Sequence, residues 1–216
     1  MGGCCGHGPD DDPGAPVTAI ATPTRVGTTL VFQPNPGTPL PDDAWVLHRS
    51  VMAMFPQAAA PARATMAVLF RRIVTRTGEA LLVRSGVPPV APLSGCTMAG
   101  TFPDPEIVAG QECRFELVAS PTMRKSATRQ VLPLPPDLWE HWLARHLEPC
   151  EIVEVEATPE EPVRGYDRNR RAVISHPAVR YSGRLLVTDA GALERLLREG
   201  LGRGQAYGLG MLVVNP

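Results

Sequence analysis

The chain has 216 residues, 44% of them apolar and 20% charged, enough to bury a large core as one big domain or two small ones. No apolar run approaches the roughly 18 residues of a membrane-spanning helix, so no transmembrane helix is expected. The net charge of −1 argues, taken alone, against a nucleic-acid binder.

The segment up to residue 25 is rich in Gly, Pro and Asp and lacks both a basic and an apolar signal-peptide region, so it reads as a disordered leader. Five cysteines (Cys4, Cys5, Cys96, Cys113, Cys150) are odd in number and scattered, which with no export signal points to a reducing cytoplasm. Thr28 to Gln33 is β-branched and apolar, as a strand requires. Asp42 or Asp43 is placed to cap a helix through Trp45, Leu47, His48, Val51, Met52 and Phe55, ended by Pro56. Met66 to Val74 and Ala80 to Arg84 read as adjacent strands around a turn containing Gly78. Residues 86–110 are rich in Pro and Gly and show no clean helix.

A similar series follows. Cys113 to Ala119 alternates with period two, as a half-buried strand does. Pro136 to Leu147 is helical by period, and Cys150 to Ala157 alternates again. Arg180 to Val187 is a strand, Asp189 to Arg198 a capped helix, and Met211 to Val214 the last strand. The order β-α-β-β-α-β is the ferredoxin-like pattern. The first half repeats it with a degenerate second helix. The expected fold is α+β, two tandem ferredoxin-like domains over 26–110 and 111–216.

Charge is concentrated by position. Arg164 to Arg203 holds nine Arg against four acids, whereas Asp137 to Glu161 holds eight acids against one Arg. Local positive potential can bind RNA on a protein of neutral total charge. Arg164, Arg168, Arg170 and Arg171 form a basic loop between two strands, with Tyr166 interleaved to stack on a base. Arg124, Lys125 and Arg129 form a second basic loop. A solvated Arg-rich surface is the competing reading of both.

The run Gly200-Leu-Gly-Arg-Gly-Gln-Ala-Tyr-Gly-Leu-Gly210 is a third basic loop, through Arg203. Nucleotide-binding loops follow a strand and open a helix. Here the helix comes first, so the run is either a flexible helix-to-strand turn or a backbone-lined contact for an RNA strand. In the latter, phosphates approach the N–H groups from Gly202 to Gln205.

His48 is the leading proton-transfer candidate, because an imidazole titrates near neutral pH; a packed or solvated helix-face His is the alternative. His176, before Pro177 in a basic loop, is a second candidate. No His-Glu-x-x-His, paired Cys-x-x-Cys, compact carboxylate pair or Gly-x-Ser-x-Gly occurs. By exclusion the chemistry is His-centred, with no metal and no cofactor.

The stretch from Tyr181 to Val214 resembles the C-terminal signature of CasE, the CRISPR repeat-processing endoribonuclease family of type I-E systems. Val46-Leu-His-Arg-Ser-Val-Met-Ala-Met-Phe-Pro56 is similar to that family's His-bearing first helix, and Leu69-Phe-Arg71 to its next strand. The resemblance implies two ferredoxin-like domains on a stem-loop of precursor CRISPR RNA, cut at the 3′ base of the stem without metal. Attack by the substrate 2′-OH leaves a 2′,3′-cyclic phosphate and a 5′-OH. The protein then stays on the mature crRNA hairpin as a cytoplasmic Cascade subunit.

The family's catalytic His falls on His48; Arg49, Gly202, Arg203, Gly204, Gln205 and Gly208 are further expected RNA contacts. Many members have Tyr where this chain has Trp45, and an indole cannot exchange a proton as a phenol can. Tyr207 stands where Phe is frequent, and Leu209 where Cys is frequent. A non-cleaving RNA-binding scaffold and a type IV crRNA nuclease are the alternative readings.

Overall fold

The computed structural model describes Met1 and residues 28–56, 65–126, 128 and 130–216. The expected leader beyond Met1 and the candidate Arg129 lie outside the described residues. The N-terminal half runs β1 (Thr28–Pro34), α1 (Ala44–Met52), β2 (Leu69–Thr75), β3 (Gly78–Ser85) and β4 (Cys96–Pro103). These strands form an antiparallel sheet in the order β2-β3-β1-β4. The C-terminal half contributes β5 (Glu112–Ala119), the short ribbon β6 (Thr122–Arg124) and β7 (Val131–Pro133), and α2 (Trp139–His146). It continues with β8 (Cys150–Asp167), β9 (Ala172–Val187), α3 (Ala190–Glu199) and β10 (Val213–Asn215). Its sheet is ordered β10-β5-β9-β8. In both halves the first strand lies between the third and the fourth, so the fold is α+β with tandem ferredoxin-like halves.

Local chemistry sets these elements. The Asp43 carboxylate accepts from the N–H groups of Trp45 and Val46 at 2.9 and 3.1 Å, a cap that stabilises a helix by about 1 kcal/mol. α1 turns Leu47 and Val51 into a core with Phe32, Phe70, Leu81 and Val83. Each such side chain stabilises the fold by roughly 1.5–3 kcal/mol when fully buried. A two-residue turn, Arg76-Thr77, joins β2 to β3, with Thr75 paired to Gly78. The second core gathers Phe115, Leu117, Leu143, Tyr181, Leu185, Leu193 and Leu197. Between β3 and β4, Pro88, Pro89 and Pro92 remove backbone donors, and no helix forms there.

Two findings depart from the sequence reading. β4 escaped it because this edge strand is mostly exposed and shows no buried alternation. The strands read as Cys150 to Ala157 and Arg180 to Val187 are the inner part of a much longer hairpin, with β8 of 18 residues and β9 of 16. Its ladder runs out to Asp167 paired with Ala172. A register shift between Glu160 and Val163 absorbs Pro162 and Pro177, and Pro159 is tolerated because β8 is an edge strand. Proline and solvent exposure hid this extension. Arg164 and His176 are therefore strand residues, not loop residues, and only Arg168, Arg170 and Arg171 occupy the turn.

The halves are joined through Arg84 on β3, which is 3% exposed. Its Nε donates to Asp104 at 3.1 Å and to the Thr29 hydroxyl at 3.2 Å. Its Nη1 donates to the carbonyls of Leu197 (3.0 Å) and Leu212 (2.7 Å), in the other half. Arg71 of β2 adds a second bridge, to Glu116 of β5 at 2.6 Å. Replacing Arg84 by Met strands the Asp104 carboxylate and both carbonyls. The expected loss is about 3–5 kcal/mol, read from urea unfolding of Arg84→Met beside the parent.

Candidate active site

The helical register that buries Leu47 and Val51 leaves His48 half-buried and Arg49 exposed at the surface of α1. The guanidinium of Arg49 lies 5.2 Å over the Trp45 ring. Asp43, besides capping the helix, accepts from the backbone N–H of Tyr166 at 3.1 Å. The outer part of the β8–β9 hairpin is thereby tied to the first turn of the helix that carries His48. Gly165 makes the approach possible, because a Cβ there would lie 2.9 Å from the Ala44 nitrogen.

The glycine run folds back on itself. Leu201 N–H donates to Gly210 O at 2.8 Å, and Gly210 N–H donates to Val118 O of β5 at 2.7 Å. Gly210 has φ +80°, and a Cβ there would stand 2.2 Å from the Leu201 carbonyl, so no other residue fits. A 3₁₀ turn, Gln205–Tyr207, closed by Tyr207 N–H on Gly204 O at 2.8 Å, projects the Tyr207 ring. His48 meets that ring edge-on, with centroids 6.0 Å apart. His176 of β9 stacks on it at 5.6 Å. One phenol thus joins an imidazole from each half.

The surroundings set the protonation of this cluster. Burial, and then the charge of Arg203, hold the His176 imidazole below its ordinary value of 6.5. Burial, and then Asp167, push the Tyr207 phenol up against the opposing pull of Arg170. Asp167 is buried and accepts from the N–H groups of Asn169 (2.9 Å) and Arg170 (3.0 Å), which shapes the hairpin turn.

Tyr207 lines two grooves, and a third adjoins the glycine run that carries it. One of about 510 Å³ is lined by Arg170, His176, Tyr207, Arg203 and the Gly202–Gln205 backbone. A second, of about 540 Å³, shares Gly202 and Arg203 as a wall and adds Arg124, Arg145, His141 and His146. A third cleft, of about 310 Å³, lies between the halves, with Arg164, Tyr207 and Gly208 on its lining. The hairpin turn and the glycine run therefore converge, and Arg124 reaches the same run from its other side. Lys125, Arg168 and Arg171 are exposed outside these linings, as is Tyr166 at 44%.

Charge pairing narrows the basic segment further. Arg184 is bound by Glu112 (2.6 Å) and Glu154 (3.0 Å), and Arg180 is bound by Glu160. The acidic and basic stretches of the sequence thus partly neutralise one another across the β8–β9 ladder. Sequence reasoning missed Tyr207 as a contact of His48, and it missed Asp167 and Gly165 altogether. The Asp-Arg-Asn-Arg run is the signal that marks an Asp-organised turn at Asp167.

The depressed His176 value has a testable sign. The folded state binds fewer protons than the unfolded state from pH 6.5 down to the lowered value. His176 therefore contributes stability that is complete above that window and is lost as pH falls through it. Titration followed by NMR should place His176 below 6.5, and Arg203→Gln should move it upward. An unmoved midpoint in the variant would remove Arg203 as a cause.

The chain matches the family described as CRISPR associated protein over residues 33–216. It is similar to the CRISPR-associated endoribonuclease Cse3 of Thermus thermophilus, 34% identical over 125 residues. That alignment takes in 52% of this chain and 59% of the relative, so it spans about three-fifths of the relative's length. A solved structure of CRISPR endoribonuclease Cse3 bound to 19 nt RNA superposes with TM-score 0.75 at 25% identity, covering 88% of this chain and 100% of that one. A subunit of a CRISPR RNA-guided surveillance complex superposes with TM-score 0.67 at 26% identity, covering 87% of this chain and 98% of that one. Among the described residues no helix is long and apolar enough to cross a membrane. By its family match and its ferredoxin-like halves, and as the CasE resemblance of its glycine run implied, the chain belongs to the family of CRISPR-associated proteins.

Proposed function

We propose that this protein is an endoribonuclease of precursor CRISPR RNA that cuts at the 3′ base of the repeat stem-loop without metal. The observation that carries this reading is the meeting of His48 with Tyr207 of the glycine run, beside a groove lined by Arg170 and Arg203. A proton-transfer group from one half is thereby set against an anion-binding surface from the other. The endoribonuclease relative and the RNA-bound neighbour support the same substrate class.

In the proposed reaction the 2′-oxygen attacks the adjacent phosphorus while a base removes its proton. The O2′–P bond forms, the P–O5′ bond breaks, and an acid protonates the departing 5′-oxygen. The products are a 2′,3′-cyclic phosphate and a 5′-OH. His48 supplies one of the two proton transfers. Arg170, the Arg203 side chain and the backbone N–H groups of Gly202, Gly204 and Gln205 spread the negative charge that builds on the phosphoryl oxygens. Arg49, Arg164, Arg168, Arg171, Arg124 and Lys125 hold the flanking backbone, and Tyr166 stacks on a base. The product hairpin stays bound, and the similarity to a surveillance-complex subunit favours a place in a Cascade assembly.

A non-cleaving scaffold is the second reading, favoured by Trp45 lying under Arg49 in place of a proton-exchanging phenol. Incubation with a cognate repeat hairpin separates the two, since only the first yields a cut product. His48→Ala should abolish that product with hairpin affinity nearly unchanged, and a 2′-deoxy substitution at the cut site should block the parent enzyme. Cleavage should persist in EDTA; its loss would contradict the metal-free mechanism. Arg203→Ala and Arg170→Ala should each weaken binding and reduce the salt slope by about one, measured by filter binding from low to moderate salt.

A further inference from the structure

We propose that His176 is the general base of the cleavage, taking the 2′-OH proton, while Tyr207 donates a hydrogen bond to the phosphate and His48 protonates the 5′-oxygen. The proposal rests on the ribonuclease reading above and assigns the second half of its acid–base chemistry. In-line displacement places the nucleophile and the leaving group on opposite sides of phosphorus, so one imidazole does not reach both. The fold brings exactly one further imidazole into the cluster among the described residues: His176, stacked on the ring that His48 also contacts.

Position favours the division of labour. His176 lines the groove that also holds Arg170, Arg203 and the Gly202–Gln205 backbone, where a phosphate would be held. The glycine run is packed against it: a Cβ on Gly204 would come within 3.3 Å of the imidazole ring. Trp45 offers no substitute, because an indole exchanges no proton and its ring lies under Arg49 at 5.2 Å.

Protonation agrees with position. The charged and titratable groups around His176 are Arg203 on the glycine run, Arg170 and Asp167 at the hairpin turn, Tyr207, and His48 through that ring. Burial and Arg203 keep the imidazole neutral, the form a base needs when RNA arrives. Burial and Asp167 keep the phenol protonated, the form a hydrogen-bond donor needs. In the balanced step, the 2′-OH proton passes to His176, the new O2′–P bond replaces P–O5′, and the proton of His48 ends on the 5′-hydroxyl. Proton exchange with water restores both imidazoles.

The experiment compares single-turnover cleavage of a repeat hairpin with its natural 5′-oxygen against one with sulfur at that bridging position. A thiolate leaves without being protonated, so sulfur rescues the loss of an acid and not the loss of a base. His176→Ala should lose about 10²–10⁴-fold on both substrates, keep hairpin affinity within about twofold, and lose the acid limb of the pH–rate profile. Added imidazole should restore part of its rate. His176→Gln, which keeps much of the packing, should be equally slow. His48→Ala should be slow on oxygen and recover on sulfur, and Tyr207→Phe should lose about tenfold on both.

Full activity in either His176 variant overturns the proposal, as does rescue of His176→Ala by sulfur or an intact acid limb in that variant. Each of these outcomes leaves the ribonuclease reading standing. Parent protein that binds the hairpin and never cuts it overturns the ribonuclease reading itself.

Discussion

Everything described for the cluster depends on how two small ferredoxin-like halves are held at one angle, and Arg84 is the residue that holds them. Its Nε donates to Asp104 and Thr29 on one side, and its Nη1 to the carbonyls of Leu197 and Leu212 on the other. The arrangement is not a source of large net stability. Burial lowers Arg84 and raises Asp104, and in each case it outweighs the attraction between them. A buried pair of this kind costs desolvation and returns orientation. Apolar surfaces alone would let the halves slide, whereas a planar fork with four fixed acceptors allows one docking geometry. The Arg71–Glu116 bridge adds a second point of contact between the halves.

A finer constraint is layered on that one. Asp43 accepts from its own helix and from Tyr166 of the hairpin, and Gly165 lets the two backbones close to contact. His48 and the hairpin are thus indexed to each other through a single carboxylate. Tyr207 arrives by a separate route, through a glycine loop pinned to β5. Three independently anchored segments converge on one phenol. A change at Arg84 and a change at Asp43 should therefore couple in their effect on the cluster despite their separation, since both act on the same relative placement.

Much of the fold was legible because its signals are local. Asp43 as a cap, the 3.6-residue period of α1, the alternation of β5 and the proline-rich path from β3 to β4 each follow from neighbouring residues. The outer hairpin was not legible, because Pro159, Pro162 and Pro177 read as loop until a register shift accommodates them. His48 and the glycine run could be singled out from residue type and from the family resemblance. Their meeting at Tyr207, with His176 on the same ring, could not be, since contact across two halves leaves no periodic mark in either. The charge pattern was half legible. Clusters of opposite sign were visible, but the pairing of Arg180 and Arg184 with glutamates needs the strand register.

The proline-bearing edge of β8 also governs what kind of molecule can lie along the hairpin. An exposed strand edge ordinarily invites another polypeptide to add a strand through its free amides. Here Pro159 and Pro162 have no amide to offer, the register shift bends the rail between them, and the Tyr166 amide is already taken by Asp43. β-augmentation is thereby disfavoured along residues 159–166 of this rim. What the rim can still offer is side chains, and its outer reach presents arginines and one tyrosine. The outer reach of the hairpin thus meets its surroundings through side chains rather than through its backbone amides.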